Sequence, residues 1–242
     1  MDRAAYDRMR DLQTRHWWFE GRRRILAGLI EQLGLPKAAS VLEVGCGPGG
    51  NIRMLSRFGK VTAVEPDEAS RVYAAEMSGA CVMTGRLPDG LPFAPESFDL
   101  VCAFDVIEHV DEDAQSIDSL GRLLKTGGRF VATVPAQPWM WSPHDELHHH
   151  KRRYRLAEFR GLFEAAGLEV VKASYFNTVL FPLIAGVRAL KMAAGSKSAD
   201  DDGMPPAPLN AALAALFGAE LGWLRRGNFP VGVSIVLIAR RP

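Results

Sequence analysis

The sequence predicts an α/β fold: a doubly wound, mostly parallel sheet with helices on both faces. Three stretches point to it. Residues 41–50 read VLEVGCGPGG, a short apolar strand that carries Glu43 and runs into glycines at 45, 47, 49 and 50. Residues 51–58 follow with apolar side chains at helical spacing. Strand, glycine turn and helix in succession let backbone approach a nucleotide closely. Residues 61–64 form a second apolar strand, closed by Glu65 twenty positions after Gly45. Residues 97–105 are almost continuously apolar, as expected of a strand covered on both faces.

The other elements follow in chain order. Residues 2–34 divide into two helical segments, 4–14 and 21–33, the second stopped by Gly34 with Pro36 beyond. Between them lies RHWWFE, whose His16, Trp17, Trp18 and Phe19 either seal this segment on the core or cover a ligand. Arg22–Arg24 read first as a solvated helix face. Pro66 blocks continuation of the second strand and Asp67 can cap a helix over 68–77. Residues 80–83 are a third strand, ending at Thr84, Gly85 and Arg86, and 87–93 are a loop. A helix over 113–124 is expected to stop at Gly127 and Gly128. The fifth strand is 130–134, closed by Pro135.

Residues 136–154 hold two tryptophans, four histidines and three consecutive basic residues, and are the expected substrate lid. A helix over 156–166 stops at Gly167, and 168–173 are a sixth strand. The apolar run 179–190 walls a greasy pocket, touches a membrane surface, builds a dimer interface or simply packs on the sheet. Residues 193–208 are a Gly/Ser/Asp/Pro-rich loop expected to be mobile. Residues 209–225 are helical and 229–240 are the last strand.

Composition adds bounds. The 242 residues are 48% hydrophobic and 24% charged, with a net charge of +1. That is ordinary globular composition without a broad electrostatic case for nucleic acid. Cys46, Cys81 and Cys102 lack metal-ligand spacing and read as small buried hydrophobes of a reducing compartment. The charged N-terminus lacks an apolar signal core, and no run approaches the roughly 18 apolar residues of a spanning helix. A cytoplasmic protein is expected.

Four stretches in register, VLEVGCGPGG at 41–50, VTAVEPD at 61–67, LPFAPESFDLVCAFDVIEHV at 91–110 and LLKTGGRFVATVP at 123–135, resemble the class I S-adenosylmethionine-dependent methyltransferases of the small-molecule type. The resemblance implies a seven-stranded sheet whose last strand is antiparallel and lies between the fifth and sixth. It implies one methyltransferase domain over 1–242, with a helical lid at 1–36, a cofactor core at 37–175, an insert at 176–226 and the last strand at 227–242. The implied cofactor is S-adenosyl-L-methionine, with S-adenosyl-L-homocysteine as product. Lipid-like or glycosylated small molecules are the candidate acceptors. The chain is expected as a monomer or homodimer with no spanning segment, contact with a membrane surface being left open.

Ligands in open parallel sheets sit at the carboxyl ends of the strands, so Gly45, Glu65, Gly85 and Asp105 should share one rim. The glycine spacing also fits a dinucleotide. Glu43 beside the turn favours a cationic methionyl group over a pyrophosphate. Glu65 is expected to accept the ribose hydroxyls. The family often has Asp where this chain has Arg86, so backbone of Arg86 and Leu87 is assigned to the adenine. Trp18 and Arg22 are assigned to the cofactor, the Arg22 or Arg23 guanidinium to its methionyl carboxylate, and the Phe104 or Asp105 carbonyl to its ammonium. Cys46, Gly47, Gly49, Pro66, Val106 and His109 complete the expected cofactor set. His109, His144 and Asp145 are the candidate general bases. No metal site is expected, since consecutive histidines cannot all face one ion. Residues 151–155 are an alternative contact for an anionic acceptor group. A nicotinamide-dependent oxidoreductase and a non-catalytic S-adenosylmethionine-binding partner subunit stay open as alternatives.

Overall fold

A computed structural model describes residues 10–193 and 203–242. The elements are α1 (Trp17–Ile30), β1 (Ala39–Val44), α2 (Ile52–Leu55), β2 (Gly59–Val64), α3 (Glu68–Ser78), β3 (Cys81–Met83), β4 (Phe98–Phe104), α4 (Asp113–Leu123), β5 (Leu124–Pro135), α5 (Pro143–Leu147), α6 (Leu156–Ala165), β6 (Glu169–Phe176), α7 (Phe181–Ala193), α8 (Ala207–Ala219), α9 (Leu221–Leu224) and β7 (Ser234–Arg240). The seven strands lie in the order β3-β2-β1-β4-β5-β7-β6. Pairings from β3 to β5 are parallel, and β7 is antiparallel to both β5 and β6. The order of the parallel strands reverses between β1 and β4, which opens a crevice at their carboxyl ends.

Sequence pattern accounts for these strands. In β4 every residue but Asp99 is buried, and in β1 every residue but Ser40. The two outward positions are tied together: Asp99 Oδ2 accepts from Ser40 N at 2.7 Å and from Lys125 Nζ at 2.8 Å. Each face of the sheet has its own apolar core. One joins β1 and β4 to Ile25, Leu26, Leu29 and Phe217; the other packs Ile117, Leu120, Phe159 and Phe163 against Phe130 and Leu237. Gly21 and Gly28 set the approach of α1 to the C-terminal helices. A Cβ at Gly21 would lie 2.5 Å from Phe217 Cδ1, and one at Gly28 2.3 Å from Leu221 Cδ2.

Several expected boundaries shift. Among residues 4–14 only 10–14 are described, and of those 10–12 are helical. RHWWFE is not a separate cluster, because α1 starts at Trp17. His16 is its N-cap, and its Nδ1 accepts from Trp18 N at 3.4 Å. Gly127 and Gly128 do not stop a helix; they lie inside β5, where the register against β4 jumps between Phe98 and Leu100. Cys81 is exposed, since β3 is an edge strand. Ala207–Leu224 does reach 18 residues with a mean hydropathy of 1.2, contrary to the sequence expectation. Its Glu220 is buried and accepts from Thr178 N and Val179 N at 2.7 and 2.8 Å, and Phe217 fills the space beside Gly21. The expected loop over 193–208 falls largely outside the described residues.

Candidate active site

The crevice is a cavity of about 630 Å³, within the range of small-molecule sites. The ends of β1, β2 and β4 and the 85–87 segment form its floor. β1 leads to Gly45, whose N–H donates to Val64 O at 2.8 Å and so carries the ladder past the strand end. Gly45 and Gly47 have φ of 67° and 53°, the left-handed region that a side chain makes costly. A Cβ at Gly45 would also sit 2.6 Å from Val106 Cγ2. The turn therefore leaves a cradle of bare backbone. Glu65 reaches it from β2: its Oε2 accepts from Gly47 N at 2.8 Å and its Oε1 from Asp67 N at 2.9 Å. From the N-terminal side Gln13 Nε2 donates to Pro48 O at 3.2 Å.

A charged strut crosses the rim. Arg22, on α1 and buried, pairs with Asp105 at the end of β4. Its guanidinium lies 4.4 Å from the Trp18 ring centre, a cation–π contact that fixes its plane. Asp105 has φ of 56°, an uncommon conformation for a residue with a side chain, and is held by its N–H to Thr133 O at 2.9 Å. The cavity lining also carries imidazoles. His109, His144, His148 and His150 all line the cavity, as does Glu108. Burial, then His150 and His148, lower His109 to about 3, so it stays neutral at physiological pH. Glu108 is fully buried, and both carboxylate oxygens lack a hydrogen-bond partner among the described residues. Burial, then Asp105, pushes its carboxyl well above the ordinary range.

The methyltransferase domain family model matches residues 18–173, more than half of the chain. The chain belongs to the class I S-adenosylmethionine-dependent methyltransferase family. A probable S-adenosylmethionine-dependent methyltransferase of Mycolicibacterium smegmatis is 29% identical over 165 residues, covering 66% of this chain and 62% of the relative. A ubiquinone biosynthesis O-methyltransferase of Methylocella silvestris is 36% identical over 140 residues, covering 54% and 52%. The chain thus spans under two thirds of these relatives' lengths. The phosphoethanolamine N-methyltransferase 2 of Haemonchus contortus, solved with S-adenosyl-L-methionine, shares the fold: TM-score 0.60, 18% identity, 90% of this chain and 52% of that one. Membership in the methyltransferase family sets the oxidoreductase alternative aside.

In this methyltransferase-family chain the cavity is lined by Trp18, Arg22, Gly45, Cys46, Gly47, Pro66, Gly85, Arg86, Leu87, Phe104, Asp105, Val106, His109 and His144 of the expected set. Four expected residues do not line it. Glu43 is buried beneath the turn, where its Oε1 accepts from Asn51 Nδ2 at 2.9 Å; Asn51, not Glu43, faces the cavity. Gly49 packs against α3, since a Cβ there would lie 3.0 Å from the Ala74 Cβ. Glu65 is turned into the loop backbone, so its carboxylate shapes the turn before it can serve a ribose. Asp145 is buried behind the wall. Its Oδ1 meets His150 Nδ1 and Arg153 Nε, each at 2.8 Å, and its Oδ2 accepts from Ser142 N at 2.9 Å. Burial pushes that carboxyl up, but the His150 and Arg153 contacts outweigh it and hold it well below the ordinary range. Asp145 therefore makes a poor base, and neutral His109 with its depressed value a weak one.

Spacing does not single out Gln13, Glu108, His150 or Arg188 as cavity residues. Glu108 was visible inside DVIEHV, and His150 inside HHH. A left-handed His149, φ 55°, turns the chain so that its two neighbours face the cavity and it does not.

Glu43 gives a pH prediction. Burial, opposed by the Asn51 hydrogen bond and Arg22 and reinforced by Glu65, raises it to about 7. In the unfolded chain a Glu ionises near 4.3. Between these values the folded state holds the extra proton, so stability is greatest near the acid end and falls as pH rises. The ligand-free protein should lose about 3 kcal/mol between pH 4.5 and pH 7.5 from this group. Urea unfolding across that window should show Glu43→Gln free of this decline and more stable than wild type above pH 7. Parallel curves for the two proteins would remove Glu43 as the source.

Proposed function

We propose that this chain transfers a methyl group from S-adenosylmethionine to an oxygen of an apolar, lipid-like acceptor. The observation that carries the reading is the mixed lining of one cavity. Leu183, Ile184 and Val187 of α7 line it together with the glycine turn, the strand ends and the imidazoles. The bare-backbone cradle at Gly45 and Gly47, which a Cβ would fill, fits an adenosyl-methionyl ligand. Bound there, S-adenosylmethionine supplies an electrophilic methyl carbon on a sulfonium.

The residues divide the work of holding it. Gly45–Gly47 backbone surrounds the methionyl end, and the Arg22–Asp105 pair presents both signs of charge to its carboxylate and ammonium. The Glu65 carboxylate, which accepts from the Gly47 and Asp67 N–H groups at the turn, is assigned to the ribose. Gly85, Arg86 and Leu87 offer backbone to the adenine. The apolar α7 wall excludes water and orients the acceptor, which supplies much of the rate advantage in a displacement that depends on alignment. His144 of α5, which also lines the cavity, is the base assigned to the acceptor hydroxyl. Leu183 and Leu190 are exposed on α7, consistent with entry of a greasy molecule at this side. The name of the Methylocella silvestris relative supports an oxygen acceptor.

The test uses methyl-labelled S-adenosylmethionine with the full chain and the lipid and aqueous fractions of a cell extract. Label should enter an organic-soluble product carrying a new methoxy group. Label confined to water-soluble amines would reject the acceptor class.

A further inference from the structure

We propose that Glu108, His109 and His150 bind one divalent transition-metal cation of the zinc class on the cavity wall, with open coordination positions facing the acceptor's oxygen. The proposal deepens the methyl-transfer reading and rests on it for the acceptor. The metal site itself rests on geometry alone, and it departs from the expectation of no metal.

One ligand atom from each of the three residues lies within 4.8 Å of the others. Zinc binds imidazole nitrogen and carboxylate oxygen at about 2.0–2.2 Å, so small side-chain rotations bring the three onto one ion. Glu108 is the decisive group. It is completely buried, and neither carboxylate oxygen has a hydrogen-bond partner among the described residues. A carboxyl in that position is costly unless something accepts its charge or protons. A cation between Glu108 and two imidazoles satisfies it.

The support behind the ligands has the form that metal sites use. His150 Nδ1 meets the buried Asp145 Oδ1 at 2.8 Å, which fixes the ring and leaves Nε2 as the ligand atom. Arg153 Nε holds the same carboxylate oxygen at 2.8 Å, so Asp145 cannot swing away. The His109 and His150 rings meet edge to face with centroids 4.8 Å apart, and a nitrogen of each lies within 4.8 Å of the other and of a Glu108 oxygen. Consecutive histidines need not converge here, because only His150 of the run is needed and Glu108 and His109 come from the turn Ile107–His109 that follows β4. Three protein ligands with open positions are the pattern of catalytic zinc sites, where the ion lowers the pKa of a bound oxygen. Here a hydroxyl of the acceptor occupies an open position and loses its proton to solvent or to a wall imidazole. The resulting oxygen is then a better nucleophile for a methyl carbon.

The experiment uses the purified full chain, dialysed against a chelator and titrated with Zn²⁺ alone and with Co²⁺ alone. One equivalent per chain should bind, and Co²⁺ should give the visible absorption of a four- or five-coordinate nitrogen–oxygen site. Glu108→Gln, nearly isosteric, should weaken binding and blunt the spectrum; Asp145→Asn should weaken it tenfold or more by releasing His150. S-adenosylhomocysteine binding is measured on the same samples. Absence of stoichiometric metal binding, or equal affinity in Glu108→Gln, overturns the site. If S-adenosylhomocysteine still binds in that case, the methyl-transfer reading stands without the metal. If metal binds and S-adenosylhomocysteine does not, the reverse holds.

Discussion

Gly45→Ala should lose roughly 100-fold in kcat/KM for methyl transfer, with a stability loss of only about 1–3 kcal/mol. Two effects combine at this position. The φ of 67° costs any residue with a Cβ, and that Cβ would lie 2.6 Å from Val106 Cγ2. Valine has no flexible end to swing aside, and Val106 is anchored between Asp105 and the turn at Ile107–His109. The glycine turn or the strand end must therefore move, and both form the floor of the cavity. Gly34→Ala is the control. Gly34 has φ of 64° but nothing within 4 Å of an added Cβ, and it lies after α1, far in sequence from the rim. It should lose stability without losing turnover. Initial-rate kinetics and thermal melts on both variants check the pair. Equal kinetic losses would show that left-handed strain alone, not the shape of the cradle, governs the effect.

Arg22→Ala should cost about 3 kcal/mol of stability, a fall of roughly 6–12 °C in melting temperature. The pair is largely desolvated: the Arg22 side chain is 6% exposed and that of Asp105 21%. Removing the cation leaves Asp105 close to Glu108, with Glu43 and Glu65 nearby, and without the Arg22 charge that offsets theirs. The cost is the uncompensated charge rather than the attraction itself. The Trp18 ring also loses the cation beneath it, which loosens the start of α1 over the cavity. Affinity for the adenosyl ligand should fall together with stability. Arg22→Lys should restore part of the charge but not the stacked plane on Trp18. Differential scanning calorimetry with and without ligand measures both. An unchanged melting temperature in Arg22→Ala would mean that the strut is not formed in solution.

Most of this architecture was legible from pattern. Apolar runs that fill both faces of a strand mark β1 and β4, and the glycine turn between β1 and α2 follows from residue type. The strand order, with β7 between β5 and β6, came from the resemblance and not from periodicity. The start of α1 was not legible, because His16 caps it through a ring nitrogen and imidazole is outside the usual set of N-cap side chains. Gly127 and Gly128 misled, since a glycine pair after a helix and a glycine bulge inside a strand look alike until the partner strand is known.

The site was legible at the level of the rim and not at the level of side-chain direction. Gly45, Gly85 and Asp105 line one cavity, as strand ends in such a sheet should. Glu65 reaches the same turn, yet its carboxylate is spent on Gly47 and Asp67 backbone. Asp145 stands beside His144 in sequence but points behind the wall, because it caps α5 and holds Arg153. Spacing fixes where a Cα arrives; which hydrogen bonds claim a buried carboxylate depends on groups distant in sequence.

The most direct measurement is isothermal titration of the full chain with S-adenosylhomocysteine and, separately, with NADH. One adenosyl ligand should bind per chain with a favourable heat, competed by S-adenosylmethionine, while NADH gives no saturable signal. Saturable NADH binding that excludes S-adenosylhomocysteine would contradict the assignment of this strand-end cavity.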